Sequence, residues 1–478
     1  MKILFVSSEV APYAKVGGLA DVCGALPKAL ARLGHQVVVT LPAYGRALDH
    51  LAWDSGVRTR SWLFGIHHEL GYAVHEAAEN LSVVLLQHSA FHRGGGVYGD
   101  AHGGFGDNLF RFALMCRGAL EVPRAVPLGG GGPLGEDIVL HAHDWPAALA
   151  CVNLRAAYQA VGVYRGARAV FTVHNAAHQG RYPGAEFGGL DLAPRWRGAV
   201  DWDGDLGLLK AGLVTADVVT AVSPTFAEEL RSRAGGFGLD GLFRRVPLQG
   251  ILNGIDVEDW NPETDAALAA PYRWDDVAGK GACKAALQAE LGLPVRPEVP
   301  LLAIISRMDA QKGLDSVLEV APWLLRQDIQ LVVLGSGAPN LEAAFRQLAA
   351  RHPHRVHAEI GFDVPLSRRI YAGADFILVP SRFEPCGLTQ LYGMRYGAVP
   401  VVRSVGGLVD TVTPWSPATG QGTGWRYARP EGLQEALFWA LRTWWDYPEA
   451  FAQVRENGMR ADWSWDRAAR QYEALYRG

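Results

Sequence analysis

Apolar runs alternate with amphipathic stretches from the start of the chain. KILFVSS, residues 2–8, is an apolar run of the kind that forms buried parallel strands. Apolar residues then recur at steps of three and four from Leu19 to Leu33, which is the spacing of one helix face. Gly34 follows where a helix would end, and QVVVTLP, residues 36–42, predicts the next strand. The chain therefore opens with a β-α-β unit.

The same alternation continues through the chain and restarts near residue 250. The later runs that predict buried strands are DIVLHAHDW (137–145), ARAVFTVHN (167–175), DVVTAVSP (217–224), PLLAIIS (300–306), QLVVLGSG (330–337), FILVPSRFEPCGL (376–388) and PVVRSVGGLVDTV (400–412). Several of them end in polar residues. Ligands of open α/β sheets bind in the crevice at the carboxyl ends of the strands, so these residues are candidates for a binding site.

A glycine turn recurs in the two halves. Residues 16–21 read VGGLAD and residues 405–410 read VGGLVD, which suggests two similar α/β halves that each place a glycine turn at a helix start. Free N–H groups at a helix N-terminus attract phosphate or carboxylate, and glycine lets the backbone approach the ligand closely. Lys15 adds a full charge to the first turn. Taken alone, this loop is equally well explained as a tight turn beside a solvated lysine.

Length and composition narrow the classes of protein. The chain has 478 residues, which predicts two or three domains, and a net charge of −4, which gives no general attraction to nucleic acid or to anionic membranes. No apolar run reaches membrane-spanning length. We expect a cytoplasmic protein with neither a nucleic-acid nor a membrane partner. Five dispersed cysteines without a CxxC spacing favour a reducing compartment over disulfides or a zinc site: Cys23, Cys116, Cys151, Cys283 and Cys386.

Two well-known phosphate motifs are absent from the sequence. No Walker loop occurs, and a dinucleotide fingerprint would need GxGxxG and an acidic residue near the end of the second strand, where Leu41 and Pro42 stand instead. An NAD-linked enzyme is therefore disfavoured. A phosphorylase of similar fold would need a lysine that carries pyridoxal phosphate, and nothing in the sequence marks one.

Six motifs, in order, identify a family. They are KVGGLADV, HAHDW, FTVHNAAHQG, NGID, SRMDAQKG and SRFEPCGLTQLYGMRYG. Together they closely resemble the bacterial glycogen synthases and plant starch synthases, which are retaining glycosyltransferases. The resemblance covers nearly the whole chain. Val16 is a departure, since many members have threonine there, but other members carry valine.

The resemblance implies an α/β fold of the GT-B type, with two Rossmann-like domains that face each other across a cleft. Residues 1–249 would form the acceptor side and residues 250–463 the nucleotide-sugar side, with a helix at 464–478 returning to the first domain. The implied reaction transfers glucose from a nucleotide-glucose to the non-reducing end of an α-1,4-glucan with retention of configuration. ADP-glucose is the expected donor, although the motifs leave UDP-glucose open. Glycogen or a malto-oligosaccharide would be the acceptor, and no cofactor is implied.

The family motifs assign three cations to the donor diphosphate. Arg307 and Lys312 follow the first strand of the second half, and Lys15 would reach the same group from the other domain. Arginine suits bidentate contact with phosphate, and lysine acts as a point charge. Two solvated loop charges are the alternative for Arg307 and Lys312, which their place in a family motif disfavours.

Other motif residues are assigned to the sugars. The resemblance places His174 beside the transferred glucose, with its ring and backbone carbonyl facing the reacting centre; a core histidine with a satisfied ring is the alternative. Glu384 would bind the glucose hydroxyls. Asp144 would orient the acceptor hydroxyl, and a helix N-cap is the competing interpretation. Catalysis is thus assigned to His174, Arg307, Lys312 and Glu384.

The remaining assignments concern donor and acceptor contacts. The N–H groups of residues 386–389 would hold the donor at a helix start, and Phe362 would lie near the adenine unless it is a core residue. Cys386 has no basic partner in the sequence and is not expected to act as a nucleophile. The predicted donor residues are Lys15, Gly17, Gly18, Asn253, Phe362, Cys386, Gly387, Leu388 and Thr389, and the predicted acceptor residues are Asp144, Asp21 and Tyr98.

DWDGD, residues 201–205, could be taken for a metal site, since some transferases of another fold hold Mg²⁺ with a DxD pair. An EF-hand would need glycine where Leu206 stands and glutamate where Gly212 stands. We expect no metal site here and a solvated turn before the helix that carries Lys210. A non-catalytic glucan-binding protein is a further alternative, but glucan binding alone needs no diphosphate site.

Overall fold

A computed structural model describes residues 1–45, 52–100, 102–129 and 131–478. Their contacts divide the chain into two compact units, Met1–Gly254 with Trp465–Gly478 and Ile255–Ser464. The chain passes from the first unit to the second after Gly254, five residues beyond the predicted boundary at 249. None of the helices in the described residues is long and apolar enough to span a membrane.

The first unit is built on a nine-stranded sheet. Its strands are β1 (Lys2–Val6), β2 (Gln36–Pro42), β3 (Trp53–Leu63), β4 (Ile66–Ala78), β5 (Leu81–Gln87), β8 (Val139–His143), β9 (Arg168–Val173), β13 (Val218–Ala221) and β14 (Leu248–Gly250), and two small sheets hold β6 (Gly99–Asp100), β7 (Gly103–Gly104), β10 (Arg181–Tyr182), β11 (Asp201–Trp202) and β12 (Asp205–Gly207). Helices of this unit are α1 (Gly18–Arg32), α2 (Asn108–Ala125), α3 (Asp144–Asn153), α4 (Arg197–Val200), α5 (Leu208–Thr215), α6 (Pro224–Leu230) and α7 (Asp240–Phe243).

The strand order of this sheet is β14-β13-β9-β8-β1-β2-β5-β4-β3. All neighbours from β14 to β5 pair in parallel, whereas β4 and β3 add an antiparallel edge. The parallel strands are apolar on both faces because helices cover them, while β3 alternates buried and exposed residues. From β1 and β8, which are neighbours, the chain winds outward in opposite directions. The loops that follow these two strands therefore flank the switch point of the sheet, where ligands of such folds bind.

The second unit repeats this design with a six-stranded parallel sheet of order β17-β16-β15-β18-β19-β20. Its strands are β15 (Leu301–Ile305), β16 (Gln330–Gly335), β17 (Val356–Ile360), β18 (Phe376–Val379), β19 (Val399–Arg403) and β20 (Trp425–Tyr427). Its helices are α8 (Ala278–Glu290), α9 (Asp315–Leu324), α10 (Pro339–Arg351), α11 (Val364–Gly373), α12 (Thr389–Arg395), α13 (Gly407–Thr411), α14 (Gly432–Asp446) and α15 (Pro448–Arg460). The switch point lies between β15 and β18.

The last helix, α16 (Trp465–Arg477), belongs to the first unit. Its aromatic side chains Trp465, Tyr472 and Tyr476 are buried in one cluster with the apolar face of α1. The hydroxyl of Tyr476 lies 2.7 Å from Nδ1 of His141, a buried residue of β8. The end of the chain is thus fastened to the centre of the first sheet.

Both glycine turns stand at a helix start. In each, the second glycine is the first helical residue: Gly18 in α1 and Gly407 in α13. A Cβ at Gly407 would lie 2.3 Å from the carbonyl oxygen of Cys386, so only glycine fits there. The second turn therefore packs directly against the loop that follows β18.

Candidate active site

The loop after β1 is held by an acid that the sequence did not single out. Glu9 is buried, and its Oε2 accepts the N–H groups of Val16 and Gly17 at 2.6 and 2.8 Å. Its Oε1 accepts the hydroxyl of Tyr98 at 2.6 Å. The amide of Gly17, which was expected to serve the donor, is thus used by the protein itself in this structure. The sequence feature that could have indicated Glu9 is its place as a charged residue just after the first predicted strand.

Lys15 is an exposed residue of this loop. Its Nζ lies 2.6 Å from Oδ1 of Asp21 on α1, and its side chain is 28% exposed. Two predicted residues, one for the donor and one for the acceptor, are therefore joined as an ion pair. The lysine can reach a ligand only by exchanging this exposed pair, which costs little because such pairs contribute about 0–1 kcal/mol.

Tyr98 is bonded at the same switch point. Its hydroxyl lies 2.9 Å from Oγ of Ser8 as well as bonding to Glu9. Burial raises the pKa of Tyr98 well above its usual value, and the charge of Glu9 raises it further, so the phenol keeps its proton. In this structure Tyr98 helps to hold the loop after β1.

Asp144 occupies a strained position at the end of β8. Its φ is +60°, in the left-handed region, and it is buried as the first residue of α3. Oδ1 accepts the N–H of Trp145 at 3.0 Å, and no side chain caps α3, so the N-cap interpretation does not describe this residue. Burial raises the pKa of Asp144 to about 8, with the charge of Glu9 acting in the same direction against hydrogen bonds from the backbone. A strained, buried acid at a switch point is typical of a functional residue.

His174 directly follows β9, beside Asp144. Nε2 of its ring lies 3.0 Å from Nδ1 of His143, and the residue is 9% exposed. Burial lowers the pKa of His174 to about 3, so the ring is neutral at physiological pH. Asn253, predicted as a donor residue, also lies in the first unit and is buried, with its Oδ1 lacking a hydrogen-bond partner within the described residues.

The switch point of the second unit brings two of the predicted catalytic residues together. Lys312 Nζ lies 2.6 Å from Oε2 of Glu384, whose side chain is 8% exposed, and the hydroxyl of Ser381 donates to the same oxygen at 2.8 Å. Lys312 ends the turn after β15 and Glu384 lies in the loop after β18. The ion pair therefore joins the two loops that flank the switch point. Ser381 is a partner that the sequence reasoning missed.

Close backbone packing holds these two loops together. A Cβ at Gly313 would lie 2.3 Å from the carbonyl oxygen of Pro380, and φ at this glycine is +64°. The N–H of Arg382 donates to the carbonyl of Gln311 at 2.7 Å, and the N–H of Gly407 donates to the carbonyl of Glu384 at 3.0 Å. Three loops at the carboxyl edge of the second sheet thus form one bonded assembly.

Arg307 stands apart from the buried pair. Its side chain is 51% exposed, and NH1 bonds Oδ2 of Asp309 at 2.9 Å. Asp309 also caps the turn of residues 310–312 by accepting the N–H of Lys312 at 3.2 Å. The guanidinium is thus held near the end of β15 while most of its surface stays available to an anion.

The remaining donor candidates differ in exposure. Cys386 is buried, Gly387 has φ +75°, Leu388 precedes α12 and Thr389 begins it. Phe362 is 74% exposed, so its interpretation as a core residue is wrong. An exposed aromatic ring after β17 is available to stack on a planar group.

The DWDGD stretch forms a hairpin turn between β11 and β12. Asp201 and Asp205 pair with Arg197 and Arg181, and Asp203 occupies the turn with φ +54°. Within the described ranges no three histidine, cysteine or acidic residues are grouped as a metal site would need. The helix that follows is α5, which carries Lys210.

Comparison with known proteins extends over the whole chain. Residues 2–245 match the model of the starch synthase catalytic domain, and residues 292–460 match that of glycosyl transferases group 1. A glycogen synthase from Anaeromyxobacter is 45% identical over 100% of this chain and 99% of its own. Soluble starch synthase 1 of Oryza sativa is 43% identical over 99% of this chain and 77% of its own.

Two solved structures share the fold. The catalytic domain of starch synthase IV from Arabidopsis thaliana, bound to ADP and acarbose, superposes with a TM-score of 0.89 at 32% identity, covering 100% of this chain and 98% of the other. A sucrose-phosphate synthase from Thermosynechococcus elongatus shares the fold with a TM-score of 0.62 at 18% identity, over 100% and 98% of the two chains. The predicted α/β fold class of the GT-B type is confirmed. The chain belongs to the starch synthase catalytic domain family, together with bacterial glycogen synthases and plant starch synthases.

Proposed function

We propose that this protein transfers glucose from ADP-glucose to the non-reducing end of an α-1,4-glucan, with retention of configuration and release of ADP. The observation that carries the proposal is the Lys312–Glu384 pair at the switch point of the second unit, with Arg307 exposed in the same loop as Lys312. A diphosphate needs cations and a sugar needs a buried hydrogen-bond acceptor, and this edge of the sheet offers both. A protein that only bound glucan would need no such cations.

The donor diphosphate gains charge as the sugar–phosphate bond breaks. Arg307 would bind it through its exposed guanidinium, and Lys312 would place a second charge on it. Lys15, which lies in the first unit, would supply a third when the donor is bound. Preorganised charges of this kind stabilise the transition state more than the ground state. Glu384 would accept hydrogen bonds from the glucose hydroxyls.

The sugar left behind develops positive charge at its anomeric carbon. The backbone carbonyl of His174 would favour this charge, and the ring of His174 would contact the glucose while remaining neutral. Asp144 would orient the acceptor hydroxyl. The donor would further contact the backbone of residues 386–389, and Phe362 would stack near the adenine.

ADP-glucose is proposed as the donor because a structural neighbour at 32% identity is bound to ADP. The acceptor would be glycogen or a malto-oligosaccharide, as expected from the glycogen synthase relative. We place the enzyme in the cytoplasm, without nucleic-acid or membrane partners. The five cysteines are free and buried, which fits a reducing compartment.

The test is nucleotide release from ADP-glucose and from UDP-glucose, each with and without glycogen. We expect rapid ADP release only when glycogen is present, and slower UDP release. The glucan product should be shortened by an exo-acting enzyme specific for α-1,4 bonds. Nucleotide release that does not depend on the acceptor, or no release at all, would reject the proposed function.

A further inference from the structure

Two histidine rings meet at the carboxyl edge of the first sheet. His143 is the last residue of β8 and His174 directly follows β9. Nδ1 of His143 lies 3.0 Å from Nε2 of His174, with ring centroids 5.3 Å apart. The candidate catalytic ring therefore has a direct partner that is not itself a candidate for sugar contact, since His143 is 0% exposed.

Packing fixes the ring of His143. It stacks on Phe5 of β1, with ring centroids 5.0 Å apart and planes 16° apart. The centroid of the His141 ring lies 4.0 Å away. Nε2 of His143 is buried and has no hydrogen-bond partner within the described ranges. Within the same ranges, the hydrogen bond to His174 is therefore the one polar contact of the His143 ring.

His141 shows what a purely structural histidine looks like in the same strand. Its Nδ1 bonds the hydroxyl of Tyr476 at 2.7 Å, and its Nε2 bonds the hydroxyl of Thr172 at 2.6 Å. Both ring nitrogens are satisfied by residues of the core and of α16. His143 leaves one nitrogen unsatisfied and directs the other at His174, an arrangement that stability alone does not favour.

The bond couples the protons of the two rings. Burial lowers the pKa of His143 well below its usual value and that of His174 to about 3, so both rings are neutral and each carries one proton. The two facing nitrogens must share a single proton between them, because two bare or two protonated nitrogens would repel. Both rings then hold their proton on Nδ1, or both hold it on Nε2. Either way, the bond to His143 decides whether Nδ1 of His174 donates or accepts.

We propose that His143 is a positioning residue that holds the ring of His174 in one orientation and one tautomer. It thereby fixes how Nδ1 of His174 hydrogen-bonds with the transferred sugar. This role rests on the proposed function, in which His174 contacts the glucose. His143 acts only through His174.

The kinetic test uses two matched variants. His143→Phe keeps a ring to stack on Phe5 but removes the nitrogen, and His141→Phe makes the same change two residues away, where no bond to His174 exists. We expect His143→Phe to lower kcat about 10²-fold with a nearly unchanged KM for ADP-glucose, as misplacement of a reacting group does. His141→Phe should lower the Tm while the folded enzyme keeps its kcat. His143→Gln, whose amide can still bond His174, should recover part of the loss.

A spectroscopic readout needs no substrate. Imidazole ¹⁵N shifts, assigned to His174 with a His174→Gln variant, should show one protonated and one bare nitrogen in the wild type and in His141→Phe. In His143→Phe or His143→Gln the two shifts should move toward each other as tautomers exchange, more so in the first. An unchanged His174 tautomer in both variants, or equal loss of kcat in His143→Phe and His141→Phe, would overturn the proposal. A wild type that shows the single tautomer but transfers no glucose would refute the proposed function alone.

Discussion

Lys312 and Arg307 belong to one loop but have different surroundings. Lys312 is largely buried against Glu384, whereas Arg307 has half its side chain exposed and, among the acids of the described residues, pairs with Asp309 alone. Removing Lys312 leaves a buried carboxylate without its cation, which costs stability as well as function. Removing Arg307 leaves a partly exposed carboxylate, Asp309, which still accepts the N–H of Lys312. The two cations therefore predict two different outcomes when they are replaced.

Arg307→Ala should lower turnover about 10²-fold or more at an unchanged Tm, because the lost contact strengthens in the transition state. Lys312→Ala should lower turnover as strongly and should also lower the Tm. Arg346→Ala is the control, since Arg346 is similarly exposed, at 55%, and is paired with Glu342 on α10. Initial rates and thermal melts measure both quantities. Near-normal turnover in Arg307→Ala would remove this arginine from the mechanism.

We expect the buried carboxyl of Asp144 to lower the stability of the folded protein at neutral and alkaline pH. Its pKa is raised from 3.8 to about 8, so the native state holds a proton that the unfolded chain releases above about pH 4. Stability is therefore lost as the pH rises from about 4 to about 8, and the loss is complete above pH 8. Asp144→Asn removes this loss, and asparagine tolerates the left-handed φ.

Asp144→Asn should therefore have a higher Tm than the wild type at pH 9, by several degrees. The difference should shrink towards pH 4, and activity should fall at every pH. Thermal melts of both proteins in buffers from pH 4 to pH 9 test the sign of this pH dependence. A Tm difference that does not depend on pH would show that Asp144 ionises normally.

Among the elements, the loops after β1 and β15 carry the three cations that are proposed to bind the diphosphate. Residues 7–17 follow β1 and residues 306–313 follow β15, and each loop is fastened by a buried acid, Glu9 or Glu384. Glu384 was predicted from a family motif. Glu9 could not be recognised from the sequence, because its partners are Tyr98 and backbone N–H groups seven and eight residues away.

Glu9→Ala should loosen the loop that carries Lys15, since two N–H groups lose their acceptor. We expect kcat/KM for ADP-glucose to fall about tenfold or more, with a smaller loss in Glu9→Gln, which keeps one carbonyl oxygen. Amide hydrogen exchange at Val16 and Gly17 should become faster in Glu9→Ala. Unchanged exchange at both positions would mean that Glu9 does not hold the loop.

The elements themselves were predictable to different degrees. The helix face from Leu19 to Leu33 became α1, and the apolar runs became parallel strands, because burial on both faces leaves a clear pattern. The hairpin of β3 and β4 gave no such pattern, since it is antiparallel and half-exposed, and β3 contains Gly56 and two arginines. Pairings such as His143 with His174 come from strand order, which one sequence does not specify.

At the scale of the whole molecule, the proposed cations are divided between two units. Lys15 belongs to Met1–Gly254, and Arg307 and Lys312 belong to Ile255–Ser464. If all three bind one diphosphate, we expect the units to close on the donor. Small-angle scattering should then show a smaller radius of gyration with ADP-glucose and a malto-oligosaccharide than without ligand. An unchanged profile at saturating ligand would reject closure as the way in which the site is assembled.

We propose that Lys15, Arg307 and Lys312, and no metal ion, neutralise the leaving diphosphate of ADP-glucose. Two helix starts would add partial positive charge. Asp203, the tempting metal ligand, stands in a hairpin turn, and its left-handed φ makes Asp203→Asn a gentler test than alanine. We expect this variant to be close to normal.

The most direct measurement is the initial rate of glucose incorporation into glycogen from labelled ADP-glucose in excess EDTA, repeated after Mg²⁺ is restored. We expect the same rate in both conditions for the wild type and for Asp203→Asn. Incorporation that EDTA abolishes, that Mg²⁺ restores in the wild type and that Mg²⁺ fails to restore in Asp203→Asn would contradict neutralisation by the three cations alone.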